Sequence, residues 1–206
     1  MSENLIICIG RQFGSGGHEI GEGLAKALGI PCYDKEILKQ AALESGIVEE
    51  LFEKADEKPS NSFLYSLSMG AADAMGGSFT NYSDYLTNDK LFLFQSKTIK
   101  DLADKSSCVI IGRCADYILR GRKKMLSVFV HAPTELRIQR VSRLRNIDED
   151  AARSLIKKTD KSRANYYAFY ADNDWGAAES YDLSLNSGKL NVDKCVQILK
   201  DVAQIL

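Results

Sequence analysis

The sequence predicts an α/β fold on a parallel sheet, because short apolar runs alternate with stretches of helical periodicity along its 206 residues. Strands separated by helices pair in parallel through right-handed crossovers, which leaves the sheet covered on both faces. Two further observations agree: the apolar runs lack polar alternation, as strands buried on both faces do, and a glycine-rich turn follows the first run. A composition of 45% hydrophobic and 27% charged residues fits one domain with a real core, and excludes disorder or a disulfide-stapled miniprotein.

The first strand is residues 5 to 9 (LIICI), ending at Gly10. After the glycine turn, Ile20, Leu24, Ala27 and Leu28 mark one face of a helix that Gly29 stops and Pro31 cannot continue. Pro31 to Tyr33 form a brief second strand. Asp34 caps a helix with Ile37, Leu38, Ala41 and Ala42 inside, and Val48, Leu51, Phe52 and Ala55 suggest another. From Asp56 to Asp89 the composition shifts to Ser, Asn, Gly and Tyr, as in an insertion. A helix from about Lys90 to Ala103 then leads to the strand Cys108 to Ile111. Leu126 to Val130 is the fourth strand, and Pro133 opens a helix running to about Arg145. Asp148 caps the next helix, Tyr181 to Leu185 is the fifth strand, and Val192, Val196, Leu199 and Ala203 mark a closing amphipathic helix.

The 27 Lys and Arg balance 28 Asp and Glu, a net charge of −1, so no overall field draws the chain to nucleic acid or to an anionic membrane. Any anion site is local. No apolar stretch reaches the length of a membrane span, and the start MSENLIICIGRQFG lacks the features of a signal peptide, so a cytoplasmic location is expected. Cys8, Cys32, Cys108, Cys114 and Cys195 form no CxxC pair and are expected to be reduced, with core packing as their role.

The chemistry gathers at strand ends. Residues 10 to 21, GRQFGSGGHEIG, crowd Gly14, Gly16 and Gly17 between a strand and a helix. Such glycines let backbone NH groups turn toward an anion, and the helix start adds positive charge. A tight turn without a ligand has the same glycines, but the place between strand and helix favours phosphate. The pattern GxxxxGK[ST] is not met, since Gly17 and His18 follow Gly16. Arg11 is the nearest basic group able to replace the lysine, or else it is a solvated charge at a strand end. Arg153, Lys157 and Lys161 recur every four residues as a positive stripe beside Asp160 and Arg163, ahead of NYYAFY and ADNDWG, a segment suited to a flap. Arg137, Arg140, Arg143 and Arg145 are read mostly as surface charge, and His131 as structural.

Taken together, GRQFGSGGHEIGEGLAKALGIPCYDKEIL, IIGRCADYIL, VFVHAPTELRIQRV, KKTDKSRANYYAFYADNDWG and YDLSLNSGKL resemble the cytidylate kinase-like family of P-loop proteins. The resemblance implies a three-layer P-loop fold in one domain, 1–206, with a five-stranded parallel sheet. It also implies a helical monophosphate-binding insertion at 35–104 and a lid at about 157–176. It places Gly14, Ser15, Gly16, Gly17 and His18 around the donor phosphates and Arg113 at the acceptor nucleotide. Asp34 falls on the acceptor side, Arg163 matches a lid arginine, Asp160 a lid carboxylate, and Lys161 a phosphate contact. Arg11, Arg163 and Lys161 are thus the candidate catalytic cations. The implied reaction uses ATP with Mg2+ and phosphorylates a small nucleotide, CMP or dCMP; the reading from a different class is a nucleotide-binding sensor without transfer.

Overall fold

The computed structural model describes residues 4–34, 37, 80–171 and 173–206, with side chains from residue 92 onward in the stretch that opens at 80. Its five strands are β1 (Ile6–Arg11), β2 (Cys32–Tyr33), β3 (Cys108–Ile111), β4 (Met125–His131) and β5 (Leu183–Asn186). They lie in the order β2-β3-β1-β4-β5, and every pairing is parallel. β1 is central, with Ile7 opposite Val109 on one side and Leu126 on the other. The chain leaves β1 toward one edge and later returns past it to the other. Such a reversal opens a crevice at the carboxyl ends of the strands.

The apolar runs divide their side chains between two faces by the period of two. Ile7, Ile9, Val109, Ile111, Val128 and Val130 pack against helices α1 (Gly17–Leu28) and α6 (Ser187–Ala203). Ile6, Cys8, Cys108 and Ile110 face helix α2 (Thr80–Lys105) and the short α3 (Ala115–Ile118). A third, aromatic cluster of Phe129, Tyr166, Tyr167 and Tyr181 forms where β4 meets α5 (Glu149–Ala171). Helix α4 (Thr134–Arg145) packs on α5 through Ile138, Val141, Ala152 and Ile156.

Most predicted elements are present, and the differences have local causes. The fifth strand starts at Leu183, because Tyr181 turns into the aromatic cluster and the Asp182 carboxylate accepts from both Ser127 N, at 2.8 Å, and Ser127 Oγ, at 2.7 Å. α2 begins at Thr80, well before Lys90, in a stretch without apolar periodicity to announce it. The spacing from Val192 identifies only the second part of α6: Asn191 is non-helical there, and its side chain accepts from Lys194 N at 3.0 Å. Asp148 does cap α5, accepting from Ala151 N at 2.7 Å. The range read as a lid is the second half of α5 with the turn after it, continuous with the helix that packs on α4. Of the insertion read at 35–104, and the helices at Ile37 to Ala42 and Val48 to Ala55, most lies outside the described residues. The cysteines are free thiols; Cys8, Cys108, Cys114 and Cys195 are buried, and Cys32 is half-buried.

Candidate functional site

The loop from Gln12 to Gly16 links β1 to α1 and is held from three directions. Its own turn is closed by Ser15, whose N and Oγ both donate to Gln12 O, at 3.2 and 2.8 Å. From α5, Asp160 Oδ1 accepts from Phe13 N at 2.7 Å, while Arg137 of α4 pairs with the same carboxylate and donates to Phe13 O at 3.2 Å. From the start of α6, Ser187 Oγ donates to Ser15 O. Gly14 and Gly16 take left-handed φ values of 79° and 81°, which glycine adopts without penalty. At Gly14 a Cβ would also come 2.8 Å from Val141 Cγ2. α1 starts right after Gly16, and its N-cap makes no side-chain hydrogen bond. The helix start therefore presents backbone NH groups and a partial positive charge, the arrangement that binds phosphate.

Beside the loop, basic side chains gather around one carboxylate. Asp34 Oδ1 lies 3.8 Å from Arg11 and 3.5 Å from Arg113, and Oδ2 lies 3.3 Å from His18 Nδ1. His18 also reaches Glu22, at 3.4 Å, and is more than half exposed. Arg163 crosses from α5 to donate to Arg11 O at 3.2 Å. Arg11, Arg113 and Arg163 line a pocket together with Asp116, Tyr166, Tyr167 and Trp175.

Arg113 is set by an unusual backbone. Gly112, Arg113 and Cys114 all have positive φ, at 74°, 63° and 53°, a strained run of the kind concentrated at functional sites. It turns Arg113 inward after β3 and seats Cys114 in the aromatic cluster. Burial lowers the Arg113 guanidinium to about 10, against the opposing pull of Asp34, so it remains a cation at neutral pH. Burial also raises Asp116, an effect opposed by the hydrogen bond it accepts from Tyr167 at 2.6 Å.

The sequence matches the cytidylate kinase-like family across residues 6–189. The chain belongs to that family. A cytidylate kinase of Methanopyrus kandleri is 24% identical over 208 residues, spanning 97% of this chain and 93% of that protein. An uncharacterized protein from Eubacterium ventriosum has a crystal structure that matches with a TM-score of 0.71 at 29% identity, covering 97% of this chain and 98% of that one. The shikimate kinase of Bacteroides thetaiotaomicron shares the fold, with a TM-score of 0.54 at 14% identity over 97% of this chain and 98% of its own. This cytidylate kinase-like chain thus has the P-loop kinase fold, and no helix among the described residues is long and apolar enough to cross a membrane.

The structure brings Arg11, Arg113 and Arg163 to one pocket, with His18 and Asp34 beside them; Gly17 lies against the Arg11 stem, and Gly14, Ser15 and Gly16 are in the adjoining loop, outside the pocket lining. Lys161 and Lys157 are exposed on α5, and Arg153 pairs with Glu135 at 3.4 Å. Asp160 sits behind the loop, engaged with Phe13 and Arg137. Two arginines escape a reading of the cytidylate kinase-like sequence by charge alone. Arg137 is 7% exposed and grips the loop, and Arg140 pairs with Glu19 at 3.2 Å, close enough to Gly16 that a Cβ there would overlap its guanidinium. Their i, i+3 spacing was the available signal, since it puts both on one side of α4.

Breaking a buried ion pair by removing one partner costs about 3–5 kcal/mol. Asp160→Ala should therefore lower stability in urea by about 3 kcal/mol and weaken ATP binding, because Phe13 N loses its acceptor. Asp160→Asn, which keeps an oxygen for that NH, should lose less of both. Urea melts paired with calorimetry check this; unchanged ATP affinity in Asp160→Ala would free the loop from dependence on α5.

Proposed function

We propose that the protein transfers the γ-phosphoryl group of ATP to a nucleoside monophosphate, CMP or dCMP. The observation that carries the reading is the convergence of Arg11, Arg113 and Arg163 on one pocket, with the Arg11 stem packed against Gly17 at the start of α1. Donor phosphates lie against the backbone of Gly14, Ser15, Gly16, Gly17 and His18. Arg113 takes the acceptor phosphate, since a guanidinium fork pairs with two phosphate oxygens, and Asp34 orients Arg113 and Arg11.

An oxygen of the acceptor phosphate attacks the γ-phosphorus, and the bond from that phosphorus to the β–γ bridging oxygen breaks. ADP leaves, and the acceptor gains the phosphoryl group. The attacking oxygen is already anionic at neutral pH, so no side chain has to remove a proton. Positioning and charge neutralisation supply the catalysis, which suits a site of arginines without a general base. Magnesium enters as the counter-ion of ATP. Among the described residues no three His, Cys, Asp or Glu side chains form a metal cluster, Ser15 Oγ is spent on Gln12 O, and Asp34 is engaged by Arg11 and Arg113. The protein residues described do not fit a metal held directly, and no step is assigned to it.

The similarity to archaeal cytidylate kinases supports cytidine acceptors. A coupled assay of ADP release across nucleoside monophosphates, sugars and coenzyme precursors tests the reading, with CMP or dCMP expected as the best acceptor. Arg113→Lys should raise the KM for the acceptor about tenfold or more, the effect of one charge-assisted hydrogen bond, and leave the KM for ATP nearly unchanged. An equal rise for both substrates contradicts the division of roles. ATP binding without turnover on any acceptor favours a sensor.

A further inference from the structure

The phosphate loop holds its cation and one of its glycines in exchanged places. The pattern GxxxxGK[ST] requires glycine at its first position and lysine directly after its second glycine. Laid on Gly16, those two positions are Arg11 and Gly17. The geometry links them: an ideal Cβ on Gly17 would lie 2.5 Å from Arg11 Cβ and 3.0 Å from its Cγ. The obstacle is the root of a side chain, so no rotamer change removes it. On this backbone one of the two positions must be glycine, and the other is left to carry the side chain.

Arg11 is placed to use that freedom. Its side chain is 10% exposed, its guanidinium lies 3.8 Å from Asp34, and it lines the pocket with Arg113 and Arg163. Its stem crosses the start of α1 at Gly17. The cation thus stands between the helix end that binds donor phosphate and the arginine assigned to the acceptor. We infer that Arg11 is the catalytic cation that does the work of the P-loop lysine, and that Gly17 is glycine because Arg11 is not. The inference rests on the phosphotransferase reading only where turnover is measured.

The test uses four variants of the full chain, each followed by turnover, by calorimetric titration with MgATP and by melting temperature. Arg11→Met keeps the stem over Gly17 without the charge; it should stay folded while losing the pair with Asp34, bind ATP more weakly and turn over about 100-fold or more slowly, as when a transition-state charge donor is lost. Arg11→Gly should lose as much. Adding Gly17→Lys to Arg11→Gly should regain about tenfold or more in turnover, the worth of one restored charge contact, together with ATP affinity. Gly17→Lys alone should melt lower and bind ATP poorly, because the two Cβ atoms collide. Full ATP affinity and turnover in Arg11→Met, or a double variant no better than Arg11→Gly, overturns the exchange. If the unaltered protein phosphorylates no acceptor, the functional reading fails while the calorimetric comparison still decides the exchange. If it is active and Arg11→Met equals it, the exchange fails and the functional reading stands.

Discussion

A Gly16→Val protein should fold and fail to bind ATP. Gly16 is the N-cap of α1 with φ at 81°, and a β-branched residue held there costs on the order of 1–3 kcal/mol of backbone strain. The Arg140 guanidinium, which lies where the Cβ would go, is the end of a flexible side chain and can swing aside, so the backbone is the obstacle. The loop relieves the strain by moving away from α1, and the NH groups at the helix start then lose their common aim. The core has no share in this, because Ile7, Ile9, Val109 and Val130 pack away from the loop against α1 and α6. A melting temperature a few degrees lower with no heat of ATP binding is the expected result. Unchanged ATP affinity in the folded variant would remove this loop from the site.

The sheet was legible because its strands are uniform apolar runs, as Cys108 to Ile111 shows: four residues, all buried, bounded by Ser107 and Gly112. The turn between β1 and α1 was legible for a related reason, since three glycines crowded between a strand and a helix announce a tight turn, and Gly14 and Gly16 take positive φ there. What escaped depends on contacts across distant segments. Asp160 binds Phe13, 147 residues away in the chain, and nothing in the spacing of KKTDKSR sets that partner. The family resemblance makes it a lid carboxylate, with no link to the loop. Arg137 looks like its surface neighbours Arg143 and Arg145 until α4 is laid against the loop, where it becomes buried. The backbone at Gly112 to Cys114 is likewise silent in sequence, because arginine and cysteine carry no preference for positive φ. The fold was thus written in local pattern, and the support of the site in tertiary contact.

Arg163→Ala should cut turnover about 100-fold, the loss expected when a charge donor to the transition state is removed, and leave ATP affinity nearly intact. The two effects separate because Arg163 is not the loop's main support. It donates to Arg11 O at 3.2 Å, with its guanidinium 5.7 Å from the Phe13 ring centroid. Asp160 on Phe13 N and Ser187 on Ser15 O remain when it is gone, so the NH groups at the start of α1 keep their places. What disappears is a cation on the pocket wall beside Arg11 and Arg113, where negative charge is most concentrated during transfer. The loss should fall on kcat, with the KM for ATP almost unmoved. Arg163→Lys sharpens the test: it restores the charge but neither the fork nor the bond geometry to Arg11 O, so it should recover only part of the rate. A fully active Arg163→Ala protein would leave Arg11 and Arg113 as the only arginines of this pocket that the reaction needs.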